Sequence, residues 1–191
     1  MKANLSKLYL MGEAFERGSV RAKITSQLSD GDIAQLISGN CSCAIFLKQV
    51  EGTRLCDLMG TTVTLNLISS RVADVLKLGG VTGLATCPAE LRDRKGELIP
   101  GYEVLATTGR CGPLVSSRSP KVTRTNYAGT GSMDVWLGYY FDEKTWDGSD
   151  MFRPEGTRMT IVTERVKELI ETIHGTNVDF KAILDVERLV L

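Results

Sequence analysis

ISSRVADVLKLGGVTGLAT (Ile68–Thr86) decides the fold, because VTERVKELIETIHGTNVDF (Val162–Phe180) follows the same plan without a gap. Each stretch starts at a strand end and offers a hydroxyl residue, Ser69 or Thr163, as a helix N-cap. Val72, Val75, Leu76 and Leu78 recur at helical spacing in the first, and Val166, Leu169, Ile170 and Ile173 in the second. Gly79-Gly80 stops the first helix and Gly175 the second, since glycine accepts the left-handed cap conformation. A strand follows each: Leu84–Cys87, ended by Pro88, and Val178–Ala182, with Val178 and Phe180 pointing inward. Going from Ile68 to Val162 shifts the chain by 94 residues, and Arg71, Val72 and Thr82 then fall on Arg165, Val166 and Thr176. Gly83 falls on Asn177, the two residue types best suited to positive φ. Two unrelated units obeying the same local rules would also look alike. The common register of cap, helix length, stop and strand favours duplication.

Outward from these units, a strand is predicted at Lys7–Met11 and a short helix at Asp32–Ile37, capped by Ser29 or Asp30 and ended by Gly39-Asn40. Cys43–Val50 and Thr61–Leu67 read as strands, Ala89–Gly101 as an exposed turn and Tyr102–Thr107 as a strand. Thr108–Ser132 is rich in Gly, Ser, Thr and Pro and reads as a long irregular loop. Met133–Phe141 is a further strand, and Thr157–Val162 is extended. The expected fold class is therefore α+β, with mixed sheets and two pseudo-repeated strand–helix–strand units. The chain divides into an N-terminal half (1–107), the irregular loop (108–132) and a C-terminal half (133–191).

Lys+Arg and Asp+Glu both number 23, so the formal net charge is zero. That balance gives no electrostatic reason to expect nucleic acid or a membrane surface as partner. No apolar run approaches the 18 or so residues of a spanning helix. The first residues lack the continuous apolar core of a signal peptide, so a cytoplasmic location is expected. The five cysteines, Cys41, Cys43, Cys56, Cys87 and Cys111, have irregular spacing and read as reduced, mostly buried thiols.

Candidate chemistry is sparse. His174 is the only histidine and sits at a helix end, which suits a partial positive charge there. Cys41-Ser-Cys43 lacks metal-ligand spacing. Gly129-Thr-Gly131-Ser132 lacks the GK[ST] ending of a phosphate loop. Arg110-Cys111-Gly112 places a thiol beside a cation, the setting of an activated nucleophile, but without a histidine partner. Asp142, Glu143, Asp147 and Asp150 surround Trp146, with Phe152 close behind. A ring flanked by carboxylates suits the docking of a basic protein, since the ring anchors and the charges speed encounter. The alternative is a solvated loop whose Trp146 and Phe152 tuck into the core. The same carboxylates formally offer an acid–base pair.

Trp146–Phe180 carries three local patterns: Gly148-Ser-Asp150-Met-Phe152, Thr163-Glu-Arg165 and Thr176-Asn177-Val178-Asp-Phe180. In this it resembles immunity proteins of bacterial polymorphic-toxin systems. It is most similar to the double-CxxCG motif family of the swarming-inhibition toxin–immunity pairs of myxobacteria. The likeness covers about a fifth of the chain, and Ile68–Pro88 and Tyr102–Leu105 follow the family's middle more loosely. The two CxxCG pairs are absent, with Cys41-x-Cys43 and Cys111-Gly112 in their place. No metal or cofactor is therefore expected. The resemblance implies a cytoplasmic antidote that binds and blocks one cognate protein toxin, which agrees with the lack of a catalytic set, so no enzyme is expected. From its own chemistry the acidic loop, with Asp142, Glu143, Trp146, Asp147, Asp150 and Phe152, is the expected contact surface, and the Thr108–Ser132 loop comes second. The rival expectations are a small hydrolase or transferase using Cys111 or a carboxylate pair, and an adaptor that forms homo-oligomers.

Overall fold

A computed structural model describes residues 4–14, 17–26, 29–41, 44–61, 65–125 and 131–189. In chain order the elements begin with β1 (Leu8–Glu13), β2 (Arg21–Ile24), α1 (Asp30–Ile37), β3 (Ile45–Glu51), β4 (Leu58–Gly60) and β5 (Asn66–Ser69). Then come α2 (Ser70–Leu78), β6 (Leu84–Arg92), β7 (Leu98–Ile99), β8 (Tyr102–Thr107) and β9 (Gly109–Cys111). β10 (Lys121–Thr125), β11 (Ser132–Leu137), β12 (Met151–Pro154), β13 (Thr160–Thr163), α3 (Glu164–Glu171), β14 (Val178–Ala182) and β15 (Glu187–Leu189) complete the chain. The fold is α+β with mixed sheets. One sheet runs β14-β1-β13-β12-β9, a second β2-β3-β6-β8-β5-β4 with β7 beside β6, and a third β10-β11-β15. The pairs β3–β6 and β9–β12 are parallel, and the other strand pairs are antiparallel.

Period-two alternation explains how the two larger sheets share a core. On β5, Leu67 faces one cluster with Leu47, Met59, Leu91 and Val104, while Ile68 faces the opposite side. On β13, Val162 joins Ile68 in a central cluster with Met11, Leu105 and Met151. Ile161 turns away from it, to Leu8, Phe141 and Phe152. Helices α2 and α3 add Val72, Ala73, Leu76, Val166 and Ile170 to the central cluster. β1, although N-terminal, lies between β13 and β14, so the C-terminal sheet is built partly from the first strand of the chain. Among the described residues no helix is long and apolar enough to cross a membrane.

Several local expectations are corrected. Leu78 is 89% exposed; Ala73 takes the inward position instead. Pro88 does not end its strand. β6 pairs with β8 up to Pro88 and with β3 from Ala89, so the missing N–H falls where partners change. The predicted turn after it shrinks to the residues beyond Arg92. Thr108–Ser132 is not wholly irregular, for it carries β9 and β10. β10 has no buried side chain to betray it and exists through its ladder to β11. In the predicted strand Thr61–Leu67, residues 62–64 lie outside the described residues, and the ordered ladder begins at Asn66. Ser29 does cap α1, in a reciprocal box with Asp32.

The cysteines depart from the reduced set. Cys41 and Cys87 form a disulfide with Cα atoms 5.5 Å apart, whereas Cys56 and Cys111 are free and buried. Cys43 lies outside the described residues. Bonding follows from topology, because the end of the α1 connection is brought against the middle of β6, which sequence separation hides.

Candidate functional site

The segment from Asp142 to Phe152 joins β11 to β12 and is held by its own carboxylates. Asp142 accepts from the Lys144 amide and opens a short 3-10 turn, Glu143–Thr145. Glu143 pairs with Arg118 at 2.8 Å. Asp147 accepts from the Arg110 amide at 2.7 Å and from both Ser149 donors. Burial pushes the Asp147 carboxyl up, but these hydrogen bonds outweigh it and hold the group below the ordinary carboxylate range. The loop is thus ordered and still presents Asp142 and Asp147 to solvent.

The two aromatic residues differ. Phe152 is fully buried between Phe141 and Trp146, so it is a core residue and not part of a contact surface. Trp146 is half-buried, lies 5.2 Å from the Phe152 ring, and donates its indole N–H to the Ser149 carbonyl. The tucked-in alternative therefore holds for Phe152 and in part for Trp146.

Asp150 has a structural role. It accepts from the Thr82 amide and hydroxyl at 3.0 Å, from Arg165 at 3.0 Å and from the Thr163 hydroxyl at 3.3 Å. Arg165 also donates to the Gly79 carbonyl at the end of α2. This clasp fastens β12, the start of α3 and the turn after α2. Beside it, a Cβ on Gly83 or Gly109 would collide with the Met151 carbonyl, so both positions require glycine.

Asp57 builds a like clasp. It accepts from the Ser69 hydroxyl at 2.5 Å and from the Arg71 Nε at 2.6 Å, with a second Arg71 bond from Nη2. Arg71 reaches on to the His174 carbonyl, beyond the end of α3. Asn177 completes this corner. Its amide brackets the Leu58 backbone, accepting at 2.9 Å and donating at 2.8 Å. The expectation of positive φ at Asn177 fails, since only glycines among the described residues adopt it. The residue is used for its side chain. Ser69 and Thr163 occupy N-cap positions, but their hydroxyls serve the two clasps instead of the helix amides.

Cys111 does not have the character of a nucleophile. Burial first, then the charge of Asp147, pushes its thiol up to about 12. Iodoacetamide at about pH 8 is expected to leave Cys111 unmodified in the native protein and to label it after denaturation. Fast native labelling, read by mass spectrometry, would contradict this. His174 is exposed and engages through its backbone carbonyl. Among the described residues no group of three or more His, Cys, Asp or Glu could hold a metal. Gly129 of the glycine-rich stretch lies outside them.

No protein-family model matches the chain, and no curated protein matches it.

Proposed function

We propose that the chain is a cytoplasmic immunity protein of the polymorphic-toxin type, which neutralises one cognate protein toxin by stoichiometric binding. The observation that carries this reading is the structural use of the three sequence patterns behind the resemblance. Asp150, Thr163 and Arg165 belong to one clasp, Phe152 to the core beneath it, and Asn177 to the other corner. A pattern spent on holding the frame leaves recognition to side chains outside it. That arrangement suits a scaffold whose members each face a different partner.

The same reading takes the two strand–helix–strand units as a pseudo-repeated pair. β13, α3 and β14 each begin 94 residues after β5, α2 and β6, and β8 begins 94 residues after β1. The first strands are exchanged: β1 sits between β13 and β14, and β8 between β5 and β6. Reciprocal exchange supports an origin in which neither half closes its sheet alone.

The proposed contact surface is the outer side of the Asp142–Asp147 turn, with the Asp142, Glu143 and Asp147 carboxylates and the free edge of Trp146. A cytoplasmic site of action puts the Cys41–Cys87 bond in a reducing compartment, where Cys87 is fully buried and the half-buried Cys41 is the sulfur a reductant can reach.

Co-expression with the protein encoded immediately upstream tests the reading. A complex of defined stoichiometry, measured by light scattering, is expected, together with protection of cells from that protein. Replacing Trp146 and Asp147 with Ala together is expected to weaken the complex by about 2–4 kcal/mol, as anchors of a contact do. An unchanged dissociation constant in a cooperatively folding variant removes this loop from the interface. Failure to form any complex at micromolar concentration removes the function.

A further inference from the structure

β9 and β12 run parallel, and their register sets Arg110 directly beside Arg153 and Cys111 beside Pro154. Register partners in a sheet share a face, so two guanidinium groups project from the same side of neighbouring strands. Like charges in that position repel. Their side chains line an open cavity of about 350 Å3, bordered by Cys111, by Pro154 at the end of β12 and by the turn residues Glu155, Gly156 and Thr157.

Arg153 is half-buried, and its Nε is sealed from solvent with no hydrogen-bond partner. Burial, then the charge of Arg110, pulls the Arg153 guanidinium below its ordinary range. Arg110 is held in place by donating Nη1 to the Thr107 and Gly109 carbonyls at 2.6 and 2.8 Å. Glu155 is the carboxylate in the lining, yet among the described residues it makes no ion pair with Arg153. A hydrocarbon side chain would fill the position of Arg153 at less cost, since an unpaired buried donor destabilises a fold. The sealed Nε lies out of a ligand's reach, but an anion against the Arg153 Nη nitrogens would offset the like charges of Arg110 and Arg153.

We propose that this cavity is a carboxylate-binding site, with Arg153 as the receiving fork and Arg110 as the fixed neighbouring charge. The planar guanidinium matches a carboxylate in two parallel hydrogen bonds. The volume admits one side-chain carboxylate or a small free acid. The cavity shares β9 with the acidic turn, because Asp147 binds the Arg110 amide. On the function proposed above, on which this assignment of the source rests, the occupant is an Asp or Glu side chain of the bound partner. The interface then reads both signs of charge, with carboxylates on the turn and a receptor for a carboxylate beside it.

The site is tested on the whole purified chain without any toxin. Acetate, succinate and a capped aspartyl peptide are titrated separately at constant ionic strength, with chloride and inorganic phosphate as controls. Binding is read by isothermal titration and by the thermal midpoint. Carboxylates are expected to bind and raise the midpoint more than chloride or phosphate. Arg153→Met is expected to fold with an equal or higher midpoint and to bind at least tenfold more weakly. Should that variant not fold, Arg153→Lys keeps the charge, loses the fork, and is expected to show the same tenfold loss.

A peptide bound at least tenfold more tightly than acetate or succinate assigns the site to a partner's acidic residue. Equal binding of the free acids assigns it to a small carboxylate. A response equal to that of the control anions, or one that survives in both Arg153 variants, overturns the proposal. Because no toxin is present, that failure leaves the immunity reading standing. Failure of the co-expression test leaves the carboxylate response standing.

Discussion

Phe152→Ala is expected to lower the unfolding free energy by about 3–5 kcal/mol, the range for removing a buried aromatic ring from a core. The ring has no exposed surface. It meets Phe141 edge-on, with centroids 5.5 Å apart at 67°, and Trp146 at 5.2 Å. Leu8, Ile161 and Ile183 enclose the same cluster from three other elements. Leu8 and Ile161 sit on β1 and β13, each paired on both sides, so this part of the wall cannot close over the void, and the cavity adds to the lost transfer energy. Trp146→Ala removes only a half-exposed cover over the same ring and should cost clearly less. Urea unfolding followed by far-UV circular dichroism checks both. A loss below about 1 kcal/mol for Phe152→Ala would mean that the cluster collapses freely. On the function proposed above, the comparison also separates stability from recognition: Phe152 should affect a toxin complex only through folding, whereas Trp146 should act on affinity directly.

What the sequence made legible was what local rules determine. The N-cap positions Ser69 and Thr163, the inward Val72, Leu76, Val166 and Ile170, and the alternation of Val178 and Phe180 all sit where periodicity puts them. Tyr102–Thr107 was bounded to the residue. The misses share a different cause: they depend on what lies across space. β9 is three residues long and exists because β12 runs beside it. Pro88 is tolerated because β6 changes partner there. Cys41 meets Cys87 through the topology of the second sheet.

The candidate loop shows the same division. Its charge and aromatic content were visible, but the use of each group was not. Asp150 looked equivalent to Asp147 along the chain, yet one faces Thr82 and Arg165 while the other caps the turn and meets the Arg110 amide. Asp57 carried no local signal at all, because its partners Ser69 and Arg71 come from the next strand–helix unit. Arg153 is unremarkable in sequence. Only the register with Arg110 makes it a candidate.

Asp57→Ala is expected to cost about 2–4 kcal/mol at neutral pH. Asp57 is 5% exposed, and its carboxylate accepts the Ser69 hydroxyl and two Arg71 bonds. Removing it strands the hydroxyl inside, but the Arg71 side chain is 53% exposed and regains water, which keeps the loss below that of a fully enclosed pair. The pH dependence follows from the native carboxyl. Burial pushes it up, but the Arg71 and Ser69 hydrogen bonds and the Arg71 charge outweigh burial and hold it below the ordinary carboxylate range. A lowered acid binds fewer protons folded than unfolded. Its contribution is therefore full above the unfolded value near 4 and is lost as pH falls through the lower, folded value. Urea midpoints of the wild type should drop over that window, and those of Asp57→Ala should drop less. Parallel curves would show that Asp57 does not stabilise the fold through its charge. Since Arg71 begins α2 and reaches the His174 carbonyl beyond α3, loss of this one carboxylate should loosen both helices in the same transition, and hydrogen exchange at both helix ends should rise together.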